Sequence, residues 1–122
     1  MSTATHRIRI EAAPAGQEVR VEVDGVVLAR TFGALVLHEN GLPDRWYIPA
    51  VDVDASLLRP SALHTTCPFK GEASYWSVEV GGRVLTDVIW TYPTPIPACE
   101  AITGMMSFYP DRTQLFVDGK PV

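Results

Sequence analysis

Tyr75-Trp76-Ser77-Val78-Glu79-Val80-Gly81-Gly82-Arg83-Val84-Leu85-Thr86-Asp87-Val88-Ile89-Trp90-Thr91-Tyr92 decides the fold class. Its first six residues read as a strand, Gly81-Gly82 as the turn, and Arg83 to Tyr92 as the returning strand. A tight hairpin connection needs positive φ, which glycine adopts at no steric cost. Beyond the hairpin, Pro93-Thr94-Pro95-Ile96-Pro97 is too proline-rich for a sheet interior, because proline cannot donate to the ladder. It reads as a stiff, extended crossing. Ala98 to Ile102 accommodates one helical turn before Gly104, and Met105 to Tyr109 with Gln114 to Val117 read as a last hairpin around Pro110-Asp111-Arg112.

Upstream, Arg7-Ile8-Arg9-Ile10-Glu11 and Glu18 to Val23 alternate polar and apolar, the period of a half-buried strand. Asp24-Gly25 turns the second of these into Val26-Val27-Leu28-Ala29. Ala34 to His38 and Arg45 to Ile48 add two strands, separated by Asn40-Gly41 and Pro43-Asp44 and stopped by Pro49. Between Val51 and Leu58 a helical turn fits, capped by Asp54 and ended by Pro60. There is no repeat, linker or low-complexity segment. The pattern predicts a mainly β chain: a single compact antiparallel β barrel or folded sheet with one or two short helical turns, one domain over residues 1–122.

The bulk properties narrow the function classes. A hydrophobic fraction of 47% and a charged fraction of 20% are globular values and argue against disorder. The net charge of −4, with no basic cluster, predicts no nucleic-acid partner, since phosphate binding leans on grouped Lys and Arg. No apolar run reaches the ~18 residues of a bilayer span, so no membrane partner is expected. Met1-Ser2-Thr3-Ala4-Thr5-His6 carries no apolar leader core. The expectation is a cytoplasmic protein, in which Cys67 and Cys99 are free thiols unless geometry brings them together.

The chemistry concentrates in His64-Thr65-Thr66-Cys67-Pro68-Phe69-Lys70-Gly71-Glu72-Ala73-Ser74-Tyr75-Trp76. Cys67, before a proline, belongs to a loop or strand end. Lys70 and His64, each three positions away, can lower its pKa if they point toward it. The plainer role is a small buried hydrophobe, the usual fate of free cysteine. His64 and Cys67 do not make a zinc site, which needs four ligands from paired knuckles, and no metal or cofactor is expected. Lys70 and Lys120 are the only lysines among ten basic residues. Lys70 suits an anion or carbonyl contact better than a Schiff base, with a surface pair to Glu72 as the bland alternative. Glu39 ends an apolar strand where a carboxylate can face a cleft. Asp52-Val53-Asp54 has the Asp-x-Asp form of metal-dependent nucleotide transferases but lacks their upstream Gly-Ser loop, so its aspartates fit turn capping better. Trp46-Tyr47, Tyr75-Trp76 and Trp90-Thr91-Tyr92 place aromatics on three strands, where adjacent residues point to opposite faces.

These same residues carry a resemblance. Trp46-Tyr47-Ile48-Pro49 with Asp52-Val53, Cys67-Pro68-Phe69-Lys70-Gly71, Ala73-Ser74-Tyr75-Trp76, Trp90-Thr91-Tyr92-Pro93 and Phe108-Tyr109 resemble the domain of unknown function 427 family. The likeness runs from about Val21 to Val117, and Glu39 matches the family's acidic position. It implies a fold related to the β-tent group, which includes methionine sulfoxide reductase B and the thalidomide-binding domain of cereblon. Zinc does not carry over, because the Cys-x-x-Cys knuckles are missing. A nucleotidyltransferase label sometimes attached to the family finds no supporting residues here. The fold relatives suggest either an aromatic cage for a cyclic ligand or a cysteine nucleophile, both at the level of fold analogy.

Three functions are therefore in play. The first is a small-molecule site walled by Trp46, Trp76 and Trp90, with Tyr47, Tyr75, Tyr92 and Asp52 as ligand contacts and Lys70, Glu39 and Cys67 at a polar rim. The second is an enzyme using Cys67 as nucleophile or redox centre, Lys70 or His64 as activator, and Glu39 or Asp52 as acid–base partner. The third is an interaction module, such as a homodimer, that uses Pro93–Pro97 and an exposed strand edge.

Overall fold

Positive φ closes the two hairpins that the glycine-bearing dipeptides mark: Asp24 and Gly25 at 52° and 77°, Gly81 and Gly82 at 58° and 78°. The computed structural model describes residues 7–14 and 16–122; the leaderless reading of Met1–His6 falls outside them. Among the described residues the strands are β1 (Ile8–Ala12), β2 (Val19–Val23), β3 (Val26–Thr31), β4 (Leu35–Glu39), β5 (Arg45–Tyr47), β6 (Leu58–Cys67), β7 (Gly71–Val80), β8 (Arg83–Thr91), β9 (Met106–Phe108), β10 (Gln114–Val117) and β11 (Lys120–Pro121). Short 3-10 turns lie at Ala50–Asp52, Ala55–Leu57 and Pro97–Ile102. Asp54 caps the second of these, its Oδ1 accepting from the Ser56 amide at 3.1 Å.

All pairing between the strands is antiparallel, in three sheets ordered β1-β4-β5, β11-β10-β2-β3 and β6-β7-β8-β9. The chain is mainly β with antiparallel sheets, as predicted; of the two forms expected, the three sheets match the folded sheet, and among the described residues no closed barrel forms. Two elements differ from the sequence reading. Leu58–Cys67 is a full strand despite Pro60, because β6 is an edge strand, the position in a sheet where proline is tolerated. Its register breaks between Pro60 and His64. The predicted last hairpin does not form: β9 pairs with β8 while β10 pairs with β2. Thr113 redirects the chain between them, donating from its amide and hydroxyl to the Tyr109 carbonyl at 3.1 and 2.9 Å.

Alternation along the strands sorts the side chains into two hydrophobic clusters. Trp46, Trp76 and Ile89 join the first, with Val21, Leu28, Val78 and Leu85. Tyr47, Tyr75 and Trp90 join the second, with Leu37, Tyr92, Cys99 and Ile102. Register holds the second together: Tyr75 lies opposite Trp90, and Tyr47 opposite Leu35. A fully buried residue such as Leu37 or Ile102 contributes about 2 kcal/mol over its exposed state. The second cluster differs from the first in carrying phenols, an indole and, at one end, charges.

Candidate functional site

Lys70 is set by its backbone before its side chain. It sits in the turn between β6 and β7, its amide donating to the Cys67 carbonyl at 3.2 Å. Its own carbonyl accepts from the Ile96 amide at 2.9 Å, which ties the turn to the proline-rich crossing. That approach needs Gly71, whose φ is +121° and whose missing Cβ would lie 3.3 Å from both the Pro95 Cα and the Thr94 carbonyl oxygen. So held, Lys70 reaches past the neighbouring Glu72 to Glu39 at the end of β4. Nζ and Oε1 are 2.6 Å apart, with side-chain exposures of 11% and 6%.

Trp90 is the hub of the aromatic side. Its Nε1–H donates to the Tyr47 hydroxyl at 3.0 Å, and the two rings meet edge-on at 6.4 Å and 89°. The Tyr109 ring lies 4.7 Å from Trp90. The Arg45 guanidinium sits over the indole at 5.5 Å. Tyr75 hydrogen-bonds Thr65 Oγ1 through its hydroxyl at 2.8 Å. These residues, with Tyr92, Leu42, Lys70 and Glu39, line a cleft of about 190 Å³. Tyr47, Trp90, Tyr92 and Glu39 are its buried part; Arg45, Tyr75 and Tyr109 are half-buried and Leu42 is exposed.

Burial governs the protonation of this cleft. It pushes the Tyr47 phenol up from 10.0 to about 12, the hydrogen bond from Trp90 offsetting only part of the effect. Burial likewise raises Tyr92, reinforced by Tyr47 and Cys67. Tyr109 is raised by burial and then by a hydrogen bond with Tyr75. These phenols are therefore neutral near pH 7 and serve as hydrogen-bonding groups, not bases. Because the folded pKa of Tyr47 lies above its unfolded value, its contribution to stability is whole below pH 10 and is lost as pH rises toward about 12. Two pKa units correspond to about 2.7 kcal/mol. Following phenolate absorbance and unfolding together should show Tyr47 ionising only as the fold opens. Tyr47→Phe should make the alkaline transition shallower while costing about 1–3 kcal/mol at neutral pH, because the indole N–H loses its acceptor.

The sequence candidates separate into those the cleft gathers and those it does not. Glu39, Lys70, Tyr47, Tyr75, Trp90 and Tyr92 come together. The three tryptophans do not, because Trp46 and Trp76 sit one residue out of phase with Trp90 on their strands. Trp76 packs on the first cluster, and Trp46 lines a neighbouring groove of about 580 Å³ with Phe108 and Leu115, which meets the cleft at Arg45 and Tyr109. Asp52 is remote, its Oδ2 accepting from Thr31 Oγ1 at 2.8 Å. Cys67 packs half-buried against the second cluster without lining the cleft. Among the described residues no charged side chain hydrogen-bonds its thiol. Cys99 is fully buried, its Sγ 3.7 Å from the Phe69 carbonyl oxygen, and both thiols are free. Burial raises the Cys99 pKa, with Lys70 opposing. His64 stays at the edge with Ser74. Among the described residues no three His, Cys, Asp or Glu side chains converge to hold a metal.

The family description "domain of unknown function (DUF427)" matches residues 11–119. The chain belongs to that family. The DUF427 match spans every residue of the cleft, from Glu39 to Tyr109. No curated protein matches the chain. Among the described residues no helix is long and apolar enough to cross a membrane. Three residues of this DUF427 cleft escaped the sequence reading: Leu42, which carries no chemical signal, Arg45 and Tyr109. Arg45 had a signal available, since it lies two positions from Tyr47 on β5 and so shares its face. Tyr109 follows Phe108 and takes the opposite face from it, but its place beside Trp90 depends on β9 pairing with β8, which the expected hairpin with β10 obscured.

Proposed function

We propose that the cleft around Lys70 and Glu39 binds a small molecule. The observation that carries the reading is the Lys70–Glu39 ion pair, almost fully buried yet lining an open cleft otherwise walled by four tyrosines and Trp90. Stability alone is a poor reason for such a pair, because desolvating two charges offsets most of their attraction. Convergent polar groups in an aromatic wall are the composition of a ligand site. At about 190 Å³ the cleft has room for roughly six waters at about 30 Å³ each. A single ring with one or two polar substituents fits that space.

The reading is tested by screening single-ring compounds by NMR against the three indole N–H resonances, with that of Trp90 assigned from Trp90→Phe. Ligands of the cleft should shift Trp90 and leave Trp46 and Trp76 nearly unmoved. A screen whose binders move only Trp46 would transfer the site to the neighbouring groove and refute the proposal.

A further inference from the structure

Resting on the reading of the cleft as a small-molecule site, we infer that its ligand is a monoanion, a carboxylate on a single ring, clamped at the mouth by Arg45. The lining holds two cations, Lys70 and Arg45, against one carboxylate, Glu39. Lys70 is already committed to Glu39 at 2.6 Å. Arg45 is not so committed. Its neighbour in sequence, Asp44, is held by His38 Nδ1 at 2.7 Å, and among the described residues no carboxylate forms a salt bridge with Arg45. Instead its guanidinium lies over the Trp90 ring at 5.5 Å, and a cation–π contact uses the charge without consuming the N–H donors of the fork.

The remaining lining groups are Leu42, the tyrosines and Trp90, and none of them adds a carboxylate. Burial and a hydrogen bond with Tyr75 keep the Tyr109 hydroxyl protonated, the Tyr75 hydroxyl is bonded to Thr65 Oγ1, and Trp90 has spent its own donor on Tyr47, which leaves Arg45 as the group at the mouth able to meet an anion. A surplus of one positive charge matches a monoanion better than a dianion. A carboxylate is planar and meets the guanidinium through two parallel hydrogen bonds. A ring carried behind it would lie along Trp90 and Tyr109, whose centroids are 4.7 Å apart.

Benzoate, benzamide and benzylamine form the probe set, since they share a ring and differ in charge. Their affinities are read from the Trp90 indole resonance and from fluorescence. Benzoate should bind about tenfold more tightly than benzamide, the size expected of one charge-assisted hydrogen bond, and benzylamine should bind weakest. Arg45→Gln should bring the benzoate-to-benzamide ratio to about one. Arg45→Lys, which keeps the charge, should hold the ratio above one, and retained benzamide binding in both variants shows that the cleft is folded. Benzamide or benzylamine equalling benzoate would overturn the anion inference and leave the cleft reading standing. A Trp90 resonance unmoved by all three would overturn both.

Discussion

Glu39→Leu should lower the thermal midpoint by about 10 °C, and adding Lys70→Met should restore most of the loss. The size follows from burial. Breaking a buried ion pair on one side costs about 3–5 kcal/mol, because the remaining charge keeps its desolvation penalty and loses its compensation. The lower end applies, since Lys70 still borders an open cleft and water can reach its ammonium. About 3 kcal/mol in a chain of 122 residues shifts the midpoint by about 10 °C. The double variant replaces both charges by apolar groups, an exchange that is often neutral. The double-mutant cycle should therefore give a coupling of about 2–3 kcal/mol. A single variant within about 1 °C of the parent would mean that the pair behaves as a solvated surface bridge and that the cleft is wetter than its geometry implies.

The hairpins were legible because their signals are local. Gly81-Gly82 and Asp24-Gly25 need only their own φ angles to be recognised. Pro93–Pro97 excludes itself from a sheet without help from any other residue. The strand β6 was not legible, since its proline is tolerated only at an edge, and edge position is a property of the whole sheet. The site divides along the same line. Lys70 and Glu39 stand 31 positions apart, so each was visible as a candidate but their pairing was not. Glu72, two residues from Lys70, is the partner that sequence favours and the fold passes over. The three tryptophans invited one cage, yet β5 and β7 each present a tyrosine where β8 presents Trp90. Strand phase decides between Trp and Tyr at each position, and phase depends on register, which is set by pairing.

Gly71→Ala should cost about 3 kcal/mol and weaken ligand binding at the cleft by more than about tenfold, although Gly71 touches no ligand. Two effects add. A φ of +121° lies outside the conformations that L side chains adopt readily, and holding a residue there costs about 1–3 kcal/mol. The new Cβ would also meet the Thr94 carbonyl oxygen and the Pro95 Cα at 3.3 Å. Both are backbone atoms in a segment stiffened by prolines, so neither can swing aside as a side-chain tip would. Relief requires the crossing segment to back away from the β6–β7 turn. That motion stretches the Ile96 amide to Lys70 carbonyl bond and carries Lys70 off Glu39. Gly82→Ala is the control, with a positive φ of 78° but nothing within 4 Å of its Cβ. It should lower the thermal midpoint by the conformational cost alone, about 1 kcal/mol, and leave benzoate binding and the Trp90 resonance in place. Equal losses of stability and binding in the two variants would show that the close approach does not position Lys70. If they differ as expected, Lys70-Gly71 acts as a unit: the glycine admits the proline segment, and the segment holds the lysine against its carboxylate.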